Sequence, residues 1–201
     1  MAKLNIVALT GGIATGKSTC GRLMKEMLPE VVFFDADASV ARLYADVEVD
    51  AELKNHFGTK VISKDGGIDK KYLRDQAFSD LGVKVFLEQV FHPRVIQECL
   101  ALLAETARNG SSRLFVADIP LLFEGGFDFG QSANLVVASS RETQISRLKN
   151  RNDWDDDIIE GVLRSQMPIE SKLALADVVF WNEGPPKILE SQIHRYLMNL
   201  E

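Results

Sequence analysis

The chain has 201 residues, a net charge of −6, 46% hydrophobic and 26% charged residues, the size and balance of one α/β domain with a real core. That charge speaks against a nucleic-acid binder, which usually carries a basic face, but not against a small anionic ligand, for which a local group of Arg and Lys suffices. There is no charged-then-apolar leader pattern, the apolar run at 6–9 is far too short for a bilayer, and Cys20 and Cys99 have neither metal-ligand nor disulfide-framework spacing. The expected setting is cytoplasmic, without membrane or nucleic-acid partners.

Residues 5–9 read as a parallel strand buried on both faces. Gly11-Gly12-Ile13-Ala14-Thr15-Gly16-Lys17-Ser18-Thr19 follows and contains G-x-x-x-x-G-K-S, the phosphate-binding loop. Its glycines let the backbone wrap a polyphosphate with N–H groups inward, and the next helix aims its N-terminus at the same anion. Lys17 can reach the outer phosphates, and the Ser18 hydroxyl can hold Mg²⁺. In that helix Cys20, Leu23, Met24, Met27 and Leu28 share one face, so Cys20 is expected to be a buried thiol, and Pro29 closes the helix.

A second buried strand at 31–34 leads into Asp35-Ala36-Asp37, and a short helix carrying Arg42 starts near Ser39. Residues 47–110 are helical and strand-poor, with an amphipathic piece marked by Val49, Leu53 and Phe57, a turn at Lys64-Asp65-Gly66-Gly67 and a short helix at 72–78. A further helix at 83–91 is expected to end at His92-Pro93, and a new one to run from Pro93 to about Arg108. In the latter, Val95, Ile96, Cys99, Leu100, Leu102, Leu103 and Ala107 are expected to face inward. This block reads as a helical insertion in a single domain spanning 1–201, since no linker-like composition sets it off.

Strands at 114–117 and 134–138 follow, the first ending at Asp118 and separated from the second by a loop at 120–126. Helices are expected at 142–151 and 155–166, a fifth strand at 177–181, a turn at Asn182-Glu183-Gly184-Pro185 and a final amphipathic helix. Strands alternating with helices imply an α/β fold: a five-stranded parallel sheet flanked by helices.

Ligands of open parallel sheets bind beyond the carboxyl ends of the strands. Asp35, Asp37 and Asp118 are therefore expected near the phosphate loop, with Asp37 the choice for the acceptor proton and Asp35 or Asp118 an alternative, or a Mg²⁺ holder through water. Helix capping by Asp35 or Asp37 is the plain structural alternative. Arg147 and Arg151, four apart on one helical face, could form a phosphate-clamping lid with Arg141 and Arg164. Asp155-Asp156-Asp157 suits a helix N-terminus, and Asn182–Gly184 is in reach of a nucleotide base.

Taken together, Gly11 to Thr19, Asp35-Ala36-Asp37 with Arg42, His92-Pro93, Pro120-Leu121-Leu122-Phe123-Glu124, Gln144-x-x-Arg147 with Arg151, Gln166, and Ala176-Asp177-Val178 with Asn182-x-Gly184 resemble dephospho-coenzyme A kinase over nearly the whole chain. The resemblance implies a P-loop kinase fold with a helical acceptor-binding region at about 47–112 and a lid at about 147–168. It implies transfer of the ATP γ-phosphoryl group to the 3′-hydroxyl of dephospho-coenzyme A, with ATP as co-substrate and Mg²⁺ at Ser18; whether Ser18 carries the ion mainly by itself or shares it through water with Asp118 is left open by the resemblance. Gly11, Gly12 and Ala14 to Thr19 would hold ATP, with Arg151 and Asn182. Asp37, Lys17 and Arg147 would be catalytic, and Asp37, Arg42, His92, Leu121, Phe123 and Glu124 would form the acceptor site. Ala14 departs from the glycine frequent in that family; a methyl is tolerable there if φ is negative. The competing readings are another P-loop small-molecule or nucleotide kinase, and a non-enzymatic nucleotide switch. The switch lacks support, because neither Asn-Lys-x-Asp nor Asp-x-x-Gly occurs.

Overall fold

The structure is a computed structural model that describes residues 3–152 and 154–200. The chain divides into two compact units, one formed by residues 3–35 with 101–200 and the other by Ala36–Leu100.

The first unit holds the sheet: β1 (Asn5–Gly11), β2 (Val32–Asp35), β3 (Leu114–Asp118), β4 (Ala133–Ala138) and β5 (Val178–Trp181). All pairings are parallel, in the order β2-β3-β1-β4-β5. After β1 the chain goes first to β2 and β3 on one side and later to β4 and β5 on the other. The carboxyl end of β1 is thus a topological switch point, where a sheet of this kind opens a ligand crevice. The register sets Asp118 beside Leu9 of β1 and beside Asp35 of β2, so the last residues of β2 and β3 lie at one rim, level with a point two residues before the end of β1.

Alternation on the strands explains why both faces need covers. Val7, Leu9, Leu114, Val116, Leu135, Val137 and Phe180 point to one face. There they meet Cys20, Leu23 and Met24 of α1 (Lys17–Met27) and Leu189, Ile193 and Leu197 of the final helix (Pro186–Met198). Val136 and Ala138 point the other way, against Ile169 and Leu173 of a helix at Ile169–Ala174. That short helix was not expected from the sequence. Six residues give fewer than two turns, and a fully buried Lys172 interrupts the apolar period. The helix before it spans Asp156–Arg164, starting one residue later and ending two residues earlier than expected, and Asp155 caps it by accepting the Ile158 N–H at 2.9 Å. The helix at Arg141–Arg151 is capped by Ser140. Asp153, inside the expected lid, lies outside the described residues.

The second unit is helical. In chain order the helices of the protein are α1, α2 (Ala36–Leu43), α3 (Val47–Phe57), α4 (Lys70–Ser79), α5 (Leu81–Asn109), α6 (Arg141–Arg151), α7 (Asp156–Arg164), α8 (Ile169–Ala174) and α9 (Pro186–Met198), with a 3₁₀ turn at Gly58–Val61. Asp46 and Asp69 cap α3 and α4, accepting backbone N–H groups at 2.9–3.1 Å. Val49, Leu53, Val61, Leu73, Phe91 and Val95 are buried, and His56 stacks on Phe86 with ring centroids 3.7 Å apart.

Three sequence expectations are corrected here. α2 starts at Ala36, so Asp37 lies in a first helical turn and not at the strand end. Ala36 favours helix, and an acidic first turn suits the helix dipole. His92-Pro93 does not separate two helices, because α5 runs through Pro93 without a break. The proline ring offers no N–H to Gln89, but Arg94 Nη1 donates to the adjacent Val90 carbonyl at 2.6 Å, supplying a donor at the weakened turn. On the same helix Leu100 and Ala107 are exposed, and Thr106 is buried in place of Ala107, its hydroxyl donating to the Leu102 carbonyl at 2.8 Å.

Candidate active site

The loop from Gly11 to Gly16 is held from outside by its carbonyls. Gly11 O accepts from Lys172 Nζ at 3.2 Å, Gly12 O from the Thr15 hydroxyl at 2.8 Å, and Ile13 O from Gln144 Nε2 at 2.7 Å. Arg147 Nη1 donates to Ala14 O at 3.1 Å and to Thr15 O at 3.2 Å, and Asn182 Nδ2 also donates to Thr15 O, at 2.8 Å. Five consecutive carbonyls therefore have donors, drawn from α6, α8, the turn after β5 and the loop itself. Among the described residues the N–H groups of Ala14, Gly16 and Lys17 have no protein acceptor. Backbone N–H groups arranged in this way at a helix N-terminus form a nest for an anion. The Ile13 N–H is an exception, donating to Gln166 Oε1 at 3.0 Å.

Three loop glycines leave no room for a side chain, and a Cβ on Gly11 would meet the Val137 carbonyl oxygen at 2.5 Å. Gly16 has φ +98°, and a Cβ there would collide with Asn182 Nδ2. A Cβ on Gly12 would meet Gln144 Nε2 at 2.8 Å. The expectation for Ala14 is overturned: its φ is +59°, so this alanine sits in the left-handed region. The loop must reverse here so that its carbonyls turn out toward Arg147 while the N–H groups turn in, and the methyl group bears the strain.

At the rim, Lys17 forms an ion pair with Asp118, both side chains being under one-fifth exposed. Ser18 and Thr19, in the first turn of α1, are exposed. Cys20 lies one turn in; burial pushes its thiol up to about 12, the Asp118 carboxylate adds to the rise and Lys17 opposes it. This is the inert buried thiol expected of a core position.

The arginines separate by role. Arg147 also donates from Nη2 to the Asn182 carbonyl at 3.0 Å, so its guanidinium ties loop to turn. Arg151 ends α6 exposed, with no acidic partner among the described residues. Arg141 and Arg164 both pair with Glu160 on the surface. The Glu183 carboxylate accepts the Ser140 N–H at 2.5 Å and the Thr143 hydroxyl at 2.8 Å, and these bonds hold its pKa below the usual carboxylate range. The turn after β5 is thereby locked to the start of α6. A cavity of about 290 Å³ beside it is lined by Gly16, Thr19, Arg147, Asn182 and Gly184.

On the other side of the loop, Glu124 Oε1 accepts from Lys172 Nζ at 2.9 Å and from the Met167 N–H at 3.0 Å. Gln144, Gln166 and Lys172 hold the loop, yet sequence reasoning gave them no role. Gln144 and Gln166 figured only among the motifs that carry the resemblance, and for Lys172 the signal was a lysine within the mostly apolar stretch 169–176.

In the helical unit, Arg42 pairs with Glu98 at 2.6 Å. His92 is half-buried, and burial lowers its pKa, with Lys84 helping and Glu88 opposing. Among the described residues no group of three or more His, Cys, Asp or Glu side chains could hold a metal, and no helix is long and apolar enough to cross a membrane.

Comparison with known proteins found a family model described as dephospho-CoA kinase, matching residues 5–187. A dephospho-CoA kinase of Anaeromyxobacter dehalogenans is 36% identical over 98% of this chain and 92% of its own length. One from Bacillus cereus is 34% identical over 96% of each chain. The crystal structure of a Thermus thermophilus protein superposes with a TM-score of 0.82 at 32% identity, covering 99% of both chains. A Campylobacter jejuni dephospho-CoA kinase shares the fold, with a TM-score of 0.70 at 24% identity over 96% of each chain.

Proposed function

The chain belongs to the dephospho-CoA kinase family, and on that premise we propose that it transfers the γ-phosphoryl group of ATP to the ribose 3′-hydroxyl of dephospho-coenzyme A, the last step of coenzyme A synthesis. The observation that carries this reading is the outward clamping of the carbonyls of residues 11–15, which leaves inward N–H groups for a triphosphate.

Gly11, Gly12 and Ala14 to Thr19 cradle the ATP phosphates, and the turn at Asn182 faces the adenine side. Asp37 accepts the proton of the acceptor hydroxyl as its oxygen attacks the γ-phosphorus. The bond from that phosphorus to the β–γ bridging oxygen breaks, and ADP leaves. Lys17 exchanges Asp118 for the phosphate oxygens and, with Arg151, offsets the charge that spreads over them. Arg147 acts by fixing the loop that binds the donor. Arg42, His92, Leu121 and Phe123 bind the acceptor, the helical region at about 47–112 supplying His92, and Glu124 fixes the far end of the Leu121–Phe123 loop. The segment at about 147–168 serves as the lid that excludes water.

The donor set suits Mg²⁺: the exposed Ser18 hydroxyl and the Asp118 carboxylate are hard oxygen ligands, Asp118 acting through water. When bound, the ion supplies positive charge to the β- and γ-phosphates. We place the enzyme in the cytoplasm, where ATP is made and used.

The test is ATP consumption measured with and without dephospho-coenzyme A, with the product identified by the mass of one added phosphate. Consumption driven by shikimate or a nucleoside monophosphate, and none by dephospho-coenzyme A, would replace this reading by another kinase.

A further inference from the structure

Lys172 is fully buried, with 0% relative exposure, yet carries a charged group. Its ammonium has three donors and three acceptors: Gly11 O and Pro120 O, each at 3.2 Å, and Glu124 Oε1 at 2.9 Å. These belong to two different segments. Gly11 ends β1 and opens the phosphate loop, whereas Pro120 and Glu124 lie in the loop after β3 that begins just past Asp118. Pro120 O accepts a second bond, from the buried Thr10 hydroxyl at 3.0 Å. Glu124 also holds the Met167 N–H, and Gln166 next to it holds the Ile13 N–H. The start of α8 and both loops therefore meet at one charged node.

Burying an ammonium is costly, and an apolar side chain of the same length would pack a core at least as well. The second carboxylate oxygen of Glu124 is buried with no hydrogen-bond partner among the described residues, so this carboxylate depends on Lys172 and one N–H. A node that carries such costs and bridges two loops is placed to fix their separation. We propose that Lys172 is a positioning residue for phosphoryl transfer: its ammonium clamps the first residue of the donor loop to the loop after β3, and so sets the distance between the bound triphosphate and the acceptor. Glu124 acts through Lys172. The inference rests on the phosphotransfer reading above.

Displacing one reacting partner by about 1 Å can cost on the order of 10²-fold in rate while each partner still binds through its own contacts. The measurements are kcat and KM for both substrates, thermal midpoint, and backbone hydrogen exchange of residues 11–16 and 120–126. Lys172→Met is expected to lower kcat about 10- to 100-fold with both KM values within about threefold, and to speed exchange in both loops together. Lys172→Arg keeps the charge but replaces a tetrahedral donor by a planar fork, so it should recover part of kcat. The double variant Lys172→Met/Glu124→Gln removes both charges and carries the test if the single variant does not fold. A double variant with wild-type kcat would mean the pair serves only to balance charge, and would overturn the proposal. So would a Lys172→Met enzyme with normal kcat, or faster exchange in one loop alone. A wild-type protein that fails to phosphorylate dephospho-coenzyme A would remove the assigned reaction, while the exchange arm would still report whether Lys172 joins the two loops.

Discussion

Lys17 and Asp118 are ion-paired at the rim of the sheet, the first from the opening turn of α1 and the second from the last position of β3. The pair pre-positions the ammonium at the mouth of the nest. It also ties the donor loop to the strand whose neighbour in register, Asp35, leads directly into Asp37. Lys17→Ala should therefore lower kcat by about 10²-fold or more, the scale of losing one charged stabiliser of the transferring group. The thermal midpoint should move little, because the pair is partly solvent-exposed. Steady-state rates alongside thermal melts check this; unchanged rates would remove Lys17 from the chemistry.

Asp37 stands in the first turn of α2, where a carboxylate is also good for the helix. The proposed base role and the helix role separate on substitution. Asp37→Asn should reduce turnover by about 10²- to 10⁴-fold, the range of general-base catalysis, with ATP affinity retained. Direct ATP-binding titration beside turnover decides the matter, and near-normal turnover would leave Asp37 with only its role in the helix.

Ala14 holds φ +59° with a methyl group that glycine would not carry. The left-handed region costs an alanine about 1–2 kcal/mol, partly offset by the greater freedom glycine has when unfolded. Ala14→Gly should therefore stabilise the protein by up to about 1 kcal/mol, raising the midpoint by roughly 2–4 °C for a chain of this length. A lower midpoint in calorimetry would mean that the methyl group makes a favourable contact outweighing the strain.

His92 gives the fold a pH dependence of defined sign. Burial lowers its pKa from the ordinary 6.5. Between the lowered value and 6.5 the unfolded chain binds more protons than the folded one, so stability rises with pH across that window. This contribution is complete above the ordinary value and is lost progressively as pH falls toward the folded one. Denaturant midpoints measured from neutral to mildly acidic pH should fall for the wild type and fall less for His92→Gln. An equal fall in both would assign the effect to other groups.

Much of the fold was legible because its signals are local. The buried strands show as short apolar runs, and the Gly11–Thr19 pattern marks a strand-to-helix turn by its glycines alone. The misreadings occurred where a local rule met a tertiary override. Pro93 is a helix breaker by propensity, yet α5 passes through it with an Arg94 guanidinium on the Val90 carbonyl. The short α8 was hidden because its central residue, Lys172, is charged and buried at once. The three hydrogen bonds of Arg147 to the backbone carbonyls of Ala14, Thr15 and Asn182 were likewise invisible in its four-residue spacing from Arg151.

The sequence by itself determined the class of fold, the phosphate loop and the family, because spacing along one segment is enough to shape an anion nest and to order parallel strands with crossover helices. Tertiary structure alone decided what holds that nest open. Its clamps are Gln144, Arg147, Gln166, Lys172 and Asn182, all more than 120 residues from the loop. Hydrogen bonds form only where the folded chain brings donor and acceptor within about 3 Å, and no spacing along the sequence encodes that distance.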